Sequence, residues 1–190
     1  MIEGDEIPDL MLQGADGAVR LAEYRGKPFV LYFYPKDDTP GCTREAQEFS
    51  ALAGDFAAAG VALLGVSKDT PAKHAKFTAK YDLAVPLASD GEDNAVLAAF
   101  GAWQEKSMYG RQYMGIDRST FLFGAGAVAH AIQRLAARHC RSDARIGRCY
   151  CPVNLLPASI GRPEAEGLQF RTMVFRSLRD SSGRLIDCGD

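Results

Sequence analysis

The chain lacks any strong excess of charge: 22 Lys and Arg stand against 24 Asp and Glu, a formal net charge of -2 at pH 7. Without a basic surface there is no electrostatic reason to expect nucleic acid or an anionic membrane as partner, and small-molecule chemistry becomes the default. The opening stretch MIEGDEIPDL is acidic and has neither the basic n-region nor the apolar h-region of a signal peptide, and no apolar run is long enough to cross a bilayer. A cytoplasmic protein is expected. Internal repeats are lacking too, and so is a disulfide framework: the five cysteines, Cys42, Cys140, Cys149, Cys151 and Cys188, are odd in number and scattered. In a reducing compartment they are thiols.

What is there divides unevenly. Hydrophobic residues make up 47% of 190 residues, enough for a full core. Every lysine falls at or before Lys106, ten of the fifteen arginines fall at or after Arg134, and four of the five cysteines lie in the last sixty residues. Two differently composed segments share the chain, and the boundary is placed between residues 1–130 and 131–190.

In the first segment, short apolar pieces on either side of Asp16-Gly17 predict a hairpin. Phe29-Val-Leu-Tyr-Phe-Tyr34, bracketed by Pro28 and Pro35, has the continuous apolar character of a strand buried on both faces, and Val61-Ala-Leu-Leu-Gly-Val66 repeats the pattern. Between them Phe49, Leu52, Ala53 and Phe56 space out as one face of a helix starting near Cys42 and ending near Gly60. Thr70-Pro71 supplies an N-cap and a first-turn proline for a helix reaching about Tyr81. Val85 to Ala88 predicts a short strand, Val96, Leu97 and Phe100 a short helix, and Ser119 to Phe123 another strand. Alternating strands and helices in this order predict an α/β fold with a mostly parallel central sheet flanked by helices. After Gly124 the signals weaken: Ala129 to Arg138 could form a helix, and His139 to Pro163 is an irregular mixture of Arg, Ser, Gly, Cys and Pro.

The chemistry concentrates at Pro35-Lys-Asp-Asp-Thr39-Pro-Gly-Cys42, where a strand ends, a loop follows and a cysteine sits at the start of a helix. Unpaired N–H groups of a first helical turn and the positive end of the helix dipole favour a thiolate over a thiol there. A lone cysteine is more often a small buried hydrophobe. The spaced Pro35 and Thr39 reverse that weighting, since a proline can shield the sulfur and a hydroxyl three residues earlier can reach the same point.

Pro-x-x-x-Thr-x-x-Cys is the peroxiredoxin signature, and YPKDDTPGCTREAQEF resembles the bacterioferritin-comigratory, or PrxQ, branch of that family. Two further pieces, SKDTPAKHAKFTAKY and KSMYGRQYMGIDRSTF, extend the resemblance over about residues 4–123. It implies a thioredoxin-like fold and a thiol peroxidase acting on hydrogen peroxide and organic hydroperoxides, with no cofactor and no metal, here expected to act as a monomer. Residue by residue it makes Cys42 similar to the peroxidatic cysteine, Thr39 to the hydroxyl that orients the peroxide, Pro35 to the shielding proline and Arg118 to the active-site arginine. Glu45 is similar to the residue that holds that arginine. The chain departs from the branch where many relatives carry a resolving cysteine: Gln47 stands five residues after Cys42, and Phe77 to Tyr81 contains no cysteine. An external thiol such as thioredoxin is therefore expected to regenerate Cys42.

Other readings compete. A thiol-disulfide oxidoreductase of the same fold would want a Cys-x-x-Cys dithiol, which is missing around Cys42. A non-catalytic metal- or partner-binding protein would rest on His139, Cys140, Cys149 and Cys151, whose spacing is not that of a zinc finger. The tail composition instead suits an out-of-frame reading of a G·C-rich gene after about Ala131. His74 is expected on an exposed helical face among lysines, with no role. Asp37 and Asp38 are a weak signal for acid-base work, and Trp103, Tyr109 and Tyr113 are expected to pack around the pocket.

Overall fold

The computed structural model describes residues 4–108, 110–126 and 129–134. Of the out-of-frame segment proposed after about Ala131, only residues 132–134 are among them; the rest of it, with its His and Cys cluster, and Tyr109 lie outside. The expected hairpin forms as β1 (Met11–Gly14) and β2 (Gly17–Arg20), with Gly14 opposite Gly17. Gly17 turns the chain with a φ of 132°, which only glycine adopts without strain. A short 3-10 turn, Leu21–Tyr24, leads to β3 (Phe29–Phe33).

Helix α1 (Pro40–Ala58) starts close to Cys42 and ends near Gly60, as expected; Thr39 is its extended N-cap, Pro40 occupies the first turn, and Gly60 follows its end with a φ of 71°. Strand β4 (Ala62–Ser67) follows, then α2 (Pro71–Tyr81), preceded by an extended Thr70 and ended by Asp82 in the left-handed region. Strand β5 (Leu87–Ser89) and the short α3 (Ala95–Ala99) come next. The chain then makes a separate two-stranded ribbon, β6 (Trp103–Met108) with β7 (Arg111–Ile116), before returning to the sheet as β8 (Ser119–Phe123) and β9 (Ala129–Arg134).

Among the described residues the main sheet has seven strands in the order β2-β1-β5-β4-β3-β8-β9. It is mixed rather than mostly parallel: β3 with β4 and β4 with β5 are parallel, and the other four neighbouring pairs are antiparallel. The buried-strand pattern correctly located the central strands. It could not report direction at the edges, because β8 enters after the ribbon, from the opposite end to a helical crossover. The helix expected over Ala129 to Arg138 is also corrected, since its first six residues are β9, paired with β8. An edge strand's unpaired N–H and C=O groups outweigh a weak local helical pattern.

Side chains alternate across β3. Phe29, Leu31 and Phe33 join Leu64, Val66, Phe100, Phe121 and Phe123 in one apolar core. Tyr32 and Tyr34 face the other side, where Tyr32 stacks on Phe49 of α1 with ring centroids 4.4 Å apart. Gly65 of β4 makes room for that ring: a Cβ there would lie 2.5 Å from Tyr32 Cζ and Oη and 2.8 Å from Leu87 Cδ2.

Candidate active site

The antiparallel register pairs Phe33 with Ser119, so the residue that precedes β8 arrives where β3 ends. That residue is Arg118, and it meets the first turn of α1, which the loop after β3 delivers to the same place. Arg118 Nη2 lies 3.1 Å from Cys42 Sγ, across 76 residues of sequence. Its Nη1 pairs with Glu45 Oε2. Cys42 and Glu45 stand three residues apart on α1 and so share a helical face, which lets one guanidinium reach both. Cys42 is 3% exposed and Glu45 is fully buried, whereas the Arg118 side chain keeps 21% of its surface open.

This arrangement suits a nucleophilic sulfur. A guanidinium stays protonated and donates in a fixed fork, so Glu45 holds one arm while the other is aimed at the sulfur. Burial strengthens both contacts by removing competing water. The expected grouping of Cys42, Arg118 and Glu45 is thus present. Thr39 is half-buried and its hydroxyl donates to the Lys36 carbonyl at 3.1 Å. Pro35 is exposed. Gln47, where a resolving cysteine was sought, is exposed, and Cys42 is a free thiol.

Two expectations are corrected here. His74 is not on an exposed face: it is 1% exposed, and its Nδ1 lies 2.7 Å from Asp37 Oδ2. Tyr34 Oη donates to Asp37 Oδ1 at 2.7 Å and lies 3.3 Å from the same ring nitrogen. Burial, with Tyr32 and Asp37 close by, pushes the Tyr34 phenol far above its ordinary range, so it keeps its proton and donates. Asp37 also donates its backbone N–H to Asp69 Oδ2 at 2.7 Å. The neighbouring Asp38, in the left-handed region at φ 57°, accepts from Lys80 Nζ at 2.7 Å and Tyr81 Oη at 2.6 Å. A sequence signal for this was available. His74, Phe77, Thr78 and Tyr81 form an i, i+3, i+4, i+7 stripe, which the interleaved lysines obscured.

The second correction concerns the ribbon. Tyr113, expected to pack around the pocket, is 44% exposed, as is its neighbour Met114 at 49%, and Trp103 leans on the core with Lys68 Nζ 4.8 Å above its ring. Lys106 Nζ, which donates to the Ile116 carbonyl at 2.7 Å, fastens the ribbon just before Arg118. Among the described residues no cluster of His, Cys, Asp or Glu is placed to hold a metal ion, and no helix is long and apolar enough to cross a membrane.

Comparison with known proteins places these features in a group. The AhpC/TSA family matches residues 3–131. Peroxiredoxin Bcp of Bacillus subtilis is 48% identical over 120 residues, covering 63% of this chain and 76% of its own length. Peroxiredoxin Bcp of Xanthomonas campestris is 46% identical over 129 residues, covering 67% and 80%. A solved structure of the Xanthomonas campestris bacterioferritin comigratory protein, described for its alkyl peroxide reduction activity, superposes with a TM-score of 0.65 at 43% identity, covering 70% of this chain and 87% of the other.

Proposed function

The chain belongs to the AhpC/TSA family and is a thioredoxin-fold peroxiredoxin, a thiol peroxidase, and from that premise we propose that Cys42 is the thiol that meets the peroxide. The observation that carries this assignment is the 3.1 Å approach of Arg118 Nη2 to a buried sulfur in the first turn of α1. The Cys42 thiolate attacks one peroxide oxygen and the O–O bond breaks. Its electron pair leaves on the distal oxygen, which takes a proton and departs as water or an alcohol. Sulfur keeps the other oxygen as a sulfenic acid.

Negative charge grows on the departing oxygen, so donors already fixed around it provide the rate. Arg118 is such a donor, with Glu45 as the residue that aims it. The Thr39 hydroxyl turns from the Lys36 carbonyl toward the peroxide, and Pro35, where β3 gives way to the loop, screens the sulfur from bulk water. A first external thiol then displaces water from the sulfenic acid to give a mixed disulfide, and a second releases Cys42 as the thiol. Thioredoxin, or another thiol, acting on a monomer in the cytoplasm completes this reading, and hydrogen peroxide and organic hydroperoxides are its substrates. The activity belongs to residues 1–130 together with the strand that closes the sheet.

Stopped-flow peroxide reduction with wild type and Cys42→Ser tests the assignment. The variant is expected to lose at least ~10³-fold in rate, as loss of a nucleophile does. Retained fast consumption would place the chemistry elsewhere.

A further inference from the structure

The turn that precedes Cys42 is held by α2 through both of its central residues. Lys36 to Thr39 is closed by the Thr39 hydroxyl donating to the Lys36 carbonyl, and the Thr39 carbonyl in turn accepts the Thr43 N–H at 2.8 Å as α1 begins. Inside this turn stand Asp37 and Asp38. The Asp38 carboxylate is held at the surface by Lys80 and Tyr81. That of Asp37 is buried and held by Tyr34 and His74, while its main chain is tied to Asp69.

A carboxylate only accepts, so the 2.7 Å contact places the proton of a neutral His74 ring on Nδ1. His74 Nε2 is buried with no hydrogen-bond partner among the described residues, and Asp37 and Tyr34 therefore set how the ring lies. Asp69, the other anchor, is itself fixed: its N–H donates to Ser67 Oγ at 3.0 Å, its carbonyl accepts from Ser89 Oγ at 2.6 Å, and Lys73 Nζ reaches its Oδ1 at 3.0 Å.

We propose that His74 is a positioning residue for the peroxidase reaction: through its Nδ1–H bond to Asp37 it fixes the Lys36–Thr39 turn, and so the geometry in which Thr39 meets peroxide bound at Cys42. The inference rests on Cys42 being the reacting thiol. It commits His74 to acting through its δ nitrogen, because that atom holds the carboxylate. It also separates two properties of Cys42. Reaction with peroxide depends on the orientation the turn supplies, whereas reaction with a simple alkylating agent depends on the ionisation and accessibility of the sulfur and needs no oriented hydroxyl.

The test compares three variants by stopped-flow oxidation of Cys42 with hydrogen peroxide, by its alkylation with iodoacetamide, and by thermal unfolding. His74→Phe removes the donor and keeps an aromatic ring; its peroxide rate is expected to fall about 10- to 100-fold, the scale of a misplaced reacting group, with alkylation unchanged. His74→Asn offers an amide donor close to the Nδ1 position and is expected to recover most of the rate. Tyr34→Phe removes the second donor to Asp37 with little change of shape and is expected to slow peroxide less than His74→Phe, again sparing alkylation. It carries the test if His74→Phe does not fold. An unchanged peroxide rate in His74→Phe and Tyr34→Phe overturns the inference, as do alkylation and peroxide rates that move together, or a His74→Asn no better than His74→Phe. Wild-type Cys42 that fails to react with peroxide overturns the reading of Cys42 itself and the inference with it.

Discussion

On one face of the sheet β3 presents Phe29, Leu31 and Phe33 to a core of aliphatic and aromatic side chains; on the other it presents Tyr32 and Tyr34 to α1, α2 and a set of buried polar groups. The first face is held by contact area and ring geometry. Phe33 and Phe121 meet edge to face at 5.7 Å, as do Phe100 and Phe121 at 5.0 Å, which adds to their area burial. The second is held by hydrogen bonds with defined donors and acceptors. Apolar packing tolerates substitution of similar volume, whereas a buried polar set fails when one partner is removed. The face that carries Cys42 is therefore the more specified and the less forgiving.

The most severe break in this contrast is expected from Arg118→Met. The peroxide rate should fall about 10²–10³-fold, as when one donor to a developing oxyanion is lost. Stability should fall as well, by about 3–5 kcal/mol, because Glu45 is left buried with no partner for its charge. Pairing the change with Glu45→Gln should restore much of the stability, read by denaturant unfolding, and none of the rate. Recovery of the rate would show that the guanidinium is dispensable to the chemistry and that the single variant fails only through the charge left on Glu45.

A comparable loss of stability with a different signature is expected on the apolar face. Phe33→Ala should cost about 3–5 kcal/mol through lost burial and a residual cavity. The rate of Cys42 oxidation, measured well below the melting temperature, should hold. If it drops with stability, the two faces are not separable.

The smallest effect sharpens the boundary between them. Asp90, at the rim of the apolar face, accepts the Val96 and Leu97 N–H groups that open α3. Burial is the largest influence on it and raises its carboxyl above the ordinary 3.8, against the lowering pull of those bonds. A carboxyl raised on folding contributes most when protonated, so that contribution is full below 3.8 and is lost as pH rises through the higher folded value. Melting temperatures of wild type and Asp90→Asn measured from acid to neutral pH should therefore converge on one another or cross in favour of the variant as pH rises. A gap that widens in favour of wild type would mean that the two N–H bonds outweigh burial.

Legibility in the sequence followed the same division. The core strands could be read from uninterrupted apolar runs, α1 from the one-face spacing of Phe49, Leu52, Ala53 and Phe56, and α2 from its Thr70-Pro71 start, because those signals are local. Cys42 and Thr39 belong to one short motif, and Arg118 and Glu45 were found because the family pattern carries positions that spacing alone does not connect. The His74 partnership was missed: Asp37 and His74 are 37 residues apart, and lysines interleaved with the His74 stripe made a buried helix face look solvated. Strand direction at β8 and the identity of β9 depend on which edge is open after the sheet has assembled. No local pattern encodes that.

The close approach of Tyr32 to Gly65 constrains the order in which this sequence can change. With a Cβ at position 65 lying 2.5 Å from the phenol ring, Gly65→Ala clashes while Tyr32 is present, yet shrinking Tyr32 first opens a void against Phe49 that a larger residue at 65 could then fill once the end of the Leu87 side chain, 2.8 Å from that Cβ, shifts aside. Neither single step is neutral, though the double replacement can approach it. The two positions are thus expected to vary together or not at all, and a replacement tolerated at 65 in a relative with a small residue at 32 would not transfer to this chain.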